Sequence, residues 1–417
     1  MRLATTAKDA HPLSPDKGVD AASSQDLPRI LVLCNGRIDR SPHVVSLLNY
    51  LARCQFRVKL VTSEAGERPL SLAASVELVS LSAGQASRSG IRALVKNAWE
   101  LRGILRRTRP DIFYVIHSWS IPTALLATGA RPSAIAPIFV YHAFDWLDPQ
   151  VHKRVHLWYE KVACKMANLC VNVDRSRARL MQSFYGLREN PLCIPNFPLR
   201  EERAPERNAA LRRELLGEKG RILLICPSAV SPGRLHMELI RAMSLLPEEY
   251  RLVTFRGSGP YARQCESLVE TSGLEERVKL FDPCPYDQLA AFLSCADVAV
   301  ILNDWKGSSG YWMANSGRLA NCLSASVPVV TSDVPNLESL VYKWNLGECC
   351  DAYVPSSIAD AVRRLVDGPP GIEKHRSAVR QAFQNELHFE HRGVLLTEEL
   401  CRLLHEKGRS GAIAPVK

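Results

Sequence analysis

The chain reads as an α/β protein built from two Rossmann-like units in tandem, and three observations carry that reading. Short runs of β-branched and aliphatic residues alternate with segments whose apolar residues recur at helical spacing, the pattern of parallel sheets covered by helices. The pattern restarts near Ile222, after a polar, charged passage from Arg200 to Lys219. A length of 417 residues is enough for two full cores, and no short-period repeat suggests a solenoid.

The first unit opens with the apolar strand Arg29–Cys34, a loop over Asn35–Pro42, and a helix carrying Val44, Leu47, Leu48 and Leu51 on one face. Strands follow at Phe56–Thr62, Ile112–Ile116, Ile138–Tyr141, Leu169–Val173 and Leu192–Pro195, each apolar and rich in β-branched or aromatic residues. The second unit repeats the alternation, with strands at Ile222–Cys226, Tyr250–Phe255, Val278–Phe281, Val298–Leu302 and Val327–Thr331. Helices are expected at Glu238–Leu246, Ala262–Ser272 and Tyr286–Ser294, and Ile372–Leu404 is helical in pattern. We therefore divide the chain into a disordered tail (1–27), a first Rossmann-like unit (28–200), a second (201–371), C-terminal helices expected to return to the first unit (372–409) and a short tail (410–417).

Composition excludes several classes of function. Thirteen cysteines are scattered, with one vicinal pair at Cys349–Cys350 and no spacing that would suit zinc, so no metal site is expected. Such cysteines fit a reducing compartment, and with no apolar signal core or spanning run we expect a cytoplasmic protein. The net charge of +10 is concentrated: between Arg88 and Arg109 seven basic residues stand against the single acid Glu100. Ile91, Leu94, Val95, Ala98, Trp99, Leu101 and Leu105 supply an apolar face to that segment. It reads either as a surface helix with a solvated basic side or as a helix facing an anionic membrane surface, peripheral to the inner face. Nucleic acid is not expected, because, Trp99 apart, aromatic residues do not interleave with the run and no recognised module appears.

Ligands of doubly wound sheets bind beyond the carboxyl ends of the strands, and that rule selects the loops to read. After Ile222–Cys226 comes Pro227-Ser-Ala-Val-Ser-Pro-Gly-Arg234, where Arg234 offers a planar cation for oxygen pairs and a helix start offers N–H donors. After Tyr250–Phe255 comes Arg256-Gly-Ser-Gly-Pro260, whose glycines permit close backbone approach. After Val298–Leu302 the chain leads into NSGRLANCLSASVPVVTSDVPNLESLV, from Asn315 to Val341.

The last segment resembles the nucleotide-sugar site of glycosyltransferases with two facing Rossmann-like domains, the GT-B architecture. The run from Val253 to Leu302 resembles the second domain of family-four (group 1) enzymes almost element for element. In the first unit Arg40-Ser-Pro-His-Val44 looks like the R-D-P-R-V or G-R-S-P-R wording of related enzymes, and Ile194-Pro-Asn-Phe197 like the closing V-P-N. The likeness covers about residues 28–365 and implies an N-terminal acceptor domain and a C-terminal donor domain.

It also implies a set of site residues. Arg234 and Arg318 would meet the charge growing on a diphosphate leaving group without a metal, and the nucleotide sugar is a co-substrate, so no cofactor is expected. Gly257, Ser258, Gly259, Asp282 and Tyr286 fall in the donor-binding loops, with 282–286 by the base. Asn321 stands where the family has a ribose-binding Glu, and Ser326 where it has Gly. An amide offers one acceptor and a donor in place of a carboxylate's acceptor pair. On the acceptor side Arg40, His43 and His117 are candidates. His142 and Asp145 are both candidate bases for an acceptor hydroxyl, depending on whether Tyr141-His-Ala-Phe-Asp145 is aligned on a W-H-N or a Y-D-x-H-E wording. The function expected is hexosyl transfer from a nucleotide sugar to a glycan or lipid-linked acceptor, in polysaccharide or glycolipid biosynthesis. The alternative, prompted by Asn321, is a catalytically impaired GT-B relative serving as a binding or scaffold subunit.

Overall fold

The computed structural model describes residues 27–64, 68–83, 86–132, 136–200, 206–284, 286–307, 312–313 and 316–409. The expected disordered stretches at 1–26 and 410–417, and Asn315 at the head of the glycosyltransferase-like segment, lie outside the described residues. So do the side chains of Arg40, of residues 86–89, and of Tyr286 and Asp287.

The N-terminal sheet has seven strands: β1 (Arg29–Cys34), β2 (Arg57–Thr62), β3 (Glu77–Ser80), β4 (Ile112–Ile116), β5 (Ile138–Ala143), β6 (Leu169–Asn172) and β7 (Leu192–Cys193). All pairs are parallel and the order is β3-β2-β1-β4-β5-β6-β7. Parallel strands need a helical layer on each face, and alternate residues of β1 show both. Ile30 and Val32 pack on the side of helix α1 (Pro42–Arg53), while Leu31 and Leu33 pack on the other. That other layer is formed by α2 (Ala86–Thr108), α3 (Ile121–Thr128), α4 (Arg154–Met166) and α5 (Arg175–Tyr185).

The C-terminal sheet has six strands: β8 (Ile222–Ala229), β9 (Tyr250–Phe255), β10 (Val278–Phe281), β11 (Val298–Ile301), β12 (Val329–Ser332) and β13 (Gly347–Cys350). They are parallel, in the order β10-β9-β8-β11-β12-β13. Its helices are α6 (Ala209–Leu216), α7 (His236–Leu245), α8 (Pro260–Thr271), α9 (Tyr286–Ser294), α10 (Gly317–Ser324), α11 (Pro335–Trp344), α12 (Pro355–Asp367) and α13 (Ile372–Asn385). Leu224 and Cys226 join the core under α7, α8 and α12, whereas Leu223 and Ile225 face α10, α11 and α13.

The last helix, α14 (Phe389–Glu406), returns to the first sheet and buries Phe389, Leu396 and Leu400 in the core beneath α1. A β-carbon on Gly393 would lie 2.9 Å from the Tyr50 ring, so the absence of a side chain there sets how closely α14 and α1 approach. The outgoing and returning crossovers run side by side: Phe389 N–H donates to Pro198 O at 2.9 Å and Arg200 N–H to the Glu390 carboxylate at 2.8 Å. Among the described residues no helix is long and apolar enough to cross a membrane.

Each sheet has one point at which strand order reverses, between β1 and β4 in the first and between β8 and β11 in the second. The crevice beyond the carboxyl ends at such a point is where doubly wound folds hold ligands.

Candidate active site

At the second sheet's switch point the organising residue is Asn303, buried just past the end of β11. Its backbone N–H donates to Ser332 Oγ at 2.9 Å, which fixes the residue against β12. Its side-chain oxygen accepts from two guanidinium groups at once, Arg234 Nη1 at 2.8 Å and Arg318 Nη2 at 2.6 Å. Arg318 also donates to Leu302 O at 3.2 Å. Arg234 comes from the 3-10 turn Pro232–Arg234 after β8, and Arg318 from the first turn of α10. Two like charges gathered on one neutral oxygen in a half-buried crevice repel each other, and an anion seated between them relieves that repulsion. The Asn303 Nδ2 atom is buried with no hydrogen-bond partner among the described residues.

Beneath these arginines lies a buried thiol–imidazole pair, with Cys226 Sγ 3.5 Å from His236 Nε2, which also approaches Thr254 Oγ1 at 3.2 Å. Burial alone would push the Cys226 thiol up, but His236 and the Arg318 charge outweigh it and bring it down to about 6. His236 is raised in turn: the thiolate and hydrogen bonds outweigh its own burial. The floor of the crevice therefore carries a thiol–imidazole contact at the end of β8.

The glycines of Arg256-Gly-Ser-Gly have separate jobs. A β-carbon on Gly257 would sit 2.0 Å from Val230 O, so this glycine lets the loops after β8 and β9 touch. Gly259 holds φ of 88° as N-cap of α8, a conformation that costs any other residue. Ser258 is exposed. Asp282, 60% exposed in the loop after β10, lies 3.8 Å from Arg256. Asn321 is half-buried one helical turn beyond Arg318, and its side chain makes no hydrogen bond among the described residues. Ser326 adopts φ of 58°, and its N–H bonds to Leu323 O at 3.0 Å in the tight exit from α10. A glycine would hold that exit without strain.

At the first sheet's switch point the fold gathers aromatic rings and imidazoles. His117 follows β4 with φ of 65° and ψ of 148°, a strained conformation of the kind that collects at functional sites. Its backbone N–H is tied to His142 O at 3.1 Å. The ring stacks on Trp119 at 4.0 Å and meets His43, from the first turn of α1, edge-on at 5.6 Å. His43 in turn packs on Phe144 at 4.5 Å. The buried Nδ1 of His117 has no hydrogen-bond partner among the described residues, and the carboxylate of Asp145 is 3.9 Å away.

His142 joins the same cluster through Phe144. It is a β5 residue 1% exposed, with Nδ1 2.8 Å from the buried Tyr114 hydroxyl and its ring stacked on Phe144 at 4.2 Å. The fold thus brings His43, His117 and Asp145 together and sets His142 in the layer beneath them. Burial favours the neutral form of all three imidazoles. Burial lowers His43 to about 4 and, helped by the His43 charge, His142 to about 3. His117 is lowered by burial first and by His43 and His142 second. Arg40 ends the 3-10 turn before α1; its neighbour Arg37 pairs with Asp39 at 2.6 Å.

Asn303 and Trp119 were not singled out in the sequence, although the strand-end rule covers both. Asn303 immediately follows the apolar run Val298–Leu302 but carries no charge to draw notice, and Trp119 lies two residues past His117 with no titratable group of its own.

Two facing α/β units with cations at one switch point and imidazoles at the other define a GT-B glycosyltransferase architecture. Residues 208–385 match the family of glycosyl transferases group 1, and residues 41–197 match glycosyltransferase family 4. The two matches together span most of the chain, which belongs to the GT-B glycosyltransferases of this group. In fold the chain is similar to the sucrose-phosphate synthase of Thermosynechococcus elongatus, with TM-score 0.72 and 16% identity, over 91% of this chain and 100% of that one. It is also similar to HepE of Anabaena solved with UDP-glucose, with TM-score 0.68 and 16% identity, over 90% of this chain and 99% of that one. No curated protein gives a significant match in sequence.

Proposed function

We propose that the chain transfers a hexose from a nucleotide diphosphate sugar, of which a UDP-sugar is the first to try, to a glycan or lipid-linked acceptor. The observation that carries this reading is the convergence of Arg234 and Arg318 on Asn303 Oδ1 at the switch point of the donor domain. Departure of the nucleotide leaves negative charge on the β-phosphate, and preorganised donors aimed at it lower the barrier. Arg234, Arg318 and the N–H groups opening α10 supply them without a metal ion. HepE, which shares the fold, is solved with UDP-glucose, in keeping with such a donor. Asn321 takes the ribose with one acceptor and one donor, at a cost of about 1–3 kcal/mol relative to a charged hydrogen bond.

On the acceptor side His117, backed by Asp145, is the imidazole that meets substrate, and His142 holds the ring layer from below. A neutral imidazole accepts a hydroxyl proton, and the nearby carboxylate stabilises the cation that results. The acceptor is taken at the inner face of an anionic membrane through α2. Ile91, Val95 and Trp99 lie four residues apart on that helix and are 76%, 52% and 77% exposed, with Arg92 and Lys96 between them. A membrane-bound acceptor places the chain in polysaccharide or glycolipid assembly.

The test is turnover of a panel of nucleotide hexoses, read as release of nucleotide diphosphate with membrane extract as acceptor. At least one donor is turned over, and Arg318→Ala abolishes it. No turnover together with retained nucleotide binding favours the scaffold reading that Asn321 prompts.

A further inference from the structure

A cavity of about 520 Å³ opens between the two units beside the crossovers, lined by parts of 173–179, 193–197, 336–344 and 386–392. It is separate from the site above: none of Arg234, Asn303, Arg318, Asn321, His43, His117 or His142 lines it. Its size is that of a small-molecule site.

Its chemistry is cationic. Arg175 and Arg179 on α5, Lys343 on α11 and Arg392 on α14 line the same concavity, and among the described residues none of the four makes an ion pair. Two acids share the lining, Asp174 and Glu386. Asp174 is already engaged. One oxygen caps α5 by accepting from Ser176 N–H at 2.8 Å and Arg177 N–H at 3.0 Å, and the other accepts from Asn336 Nδ2 at 2.9 Å. That last bond and Ser176 Oγ–Asn336 Oδ1 at 3.3 Å join the two units at the edge of the cavity. Trp344, with the Lys343 ammonium 4.7 Å from its ring, gives an apolar wall.

Surface cations usually point apart into water. Here they come from both units and from the returning helix and line one open concavity, with Arg175, Arg179 and Lys343 on its exposed side, and gathering like charges around one volume favours a bound anion. A phosphate group suits such a set, because guanidinium forks and an ammonium can share its oxygens. We propose that this cavity is a second anion site, taking a soluble phosphate-bearing small molecule. A ligand that touches both units and the crossover binds one arrangement of the two better than others, so occupancy biases opening and closing of the catalytic cleft.

Inorganic pyrophosphate is the probe, titrated calorimetrically into the full chain carrying R234A and R318A, which disables the donor crevice. One molecule binds per chain, and adding R179E and K343E weakens it by about tenfold or more. The neutral pair R179Q/K343Q, with the melting temperature measured without anion as a check on folding, shows the same loss. Vesicles of phosphatidic acid separate a free phosphate from a lipid headgroup and do not displace pyrophosphate. Three results overturn the proposal: no pyrophosphate binding once R234A and R318A are present, binding indifferent to the charge of residues 179 and 343, or displacement by the vesicles.

Discussion

At the scale of single residues, the candidate site rests on an uncharged side chain. Asn303 accepts from both Arg234 and Arg318 and thereby sets the spacing of two cations that would otherwise separate. Asn303→Ala leaves both charges in place but removes their common anchor. We expect it to weaken nucleotide diphosphate binding by about tenfold to a hundredfold, on the scale of one or two charged hydrogen bonds, measured by calorimetry. On the other face, geometry separates two histidines that sequence treats alike. His117→Ala lowers kcat by about a hundredfold or more with nucleotide binding unchanged, while His142→Gln costs stability and little turnover. The reverse ranking would place the reacting imidazole in β5.

The same imidazoles make stability depend on pH. Native His43 and His142 refuse protons until pH is about 4 and about 3, whereas an unfolded histidine accepts one near 6.5. Below that value the unfolded chain binds more protons than the native one, so stability falls as pH drops from about 6.5 towards 4. Urea midpoints at pH 7 and pH 5 measure the loss, and a variant carrying H43N and H142Q shows a smaller one. An equal loss in the variant would assign the acid sensitivity to other groups.

At the scale of elements, α2 is the segment whose surface the fold leaves unsatisfied. Ala98, Leu101 and Leu105 are buried against the first sheet, but Ile91, Val95 and Trp99 are not covered. In the same layer Val155 and Trp158 of α4 are 55% and 63% exposed. A flotation assay with the full chain should show binding to vesicles containing anionic lipid, reduced several-fold by Trp99→Glu and by added salt. Equal absence from anionic and zwitterionic vesicles would remove the membrane from the account.

Elements also show what sequence patterns reveal and what they hide. Strands such as Ile112–Ile116 and Val298–Ile301 are continuous apolar runs and were legible as buried parallel strands. β13, Gly347–Cys350, was not, because Gly-Glu-Cys-Cys contains no β-branched or aromatic residue. It is a strand because it packs so close to β12 that a β-carbon on Gly347 would lie 1.9 Å from Val329 O. Cys349 and Cys350 then point into the cores on opposite faces of the sheet. β3, Glu77–Ser80, is a short edge strand with too few apolar residues to stand out.

At the scale of the whole molecule, the two-unit plan was legible because the alternation restarts at Ile222, and strand ends could be read as site loops by the switch-point rule. Which side chains meet there was less so. Arg234 and Arg318 are 84 residues apart in sequence and meet at Asn303, at the end of a third element. The cluster of His43, His117 and Asp145 likewise draws on three separate segments, the first turn of α1 and the ends of β4 and β5. The central claim is that the Asn303-anchored arginine pair is a diphosphate site, and calorimetric titration of UDP into the wild-type chain and into an R234A/R318A variant tests it most directly. The account predicts one UDP per wild-type chain, with binding lost in the variant. No UDP binding to the wild type, or equal binding to both, would contradict it.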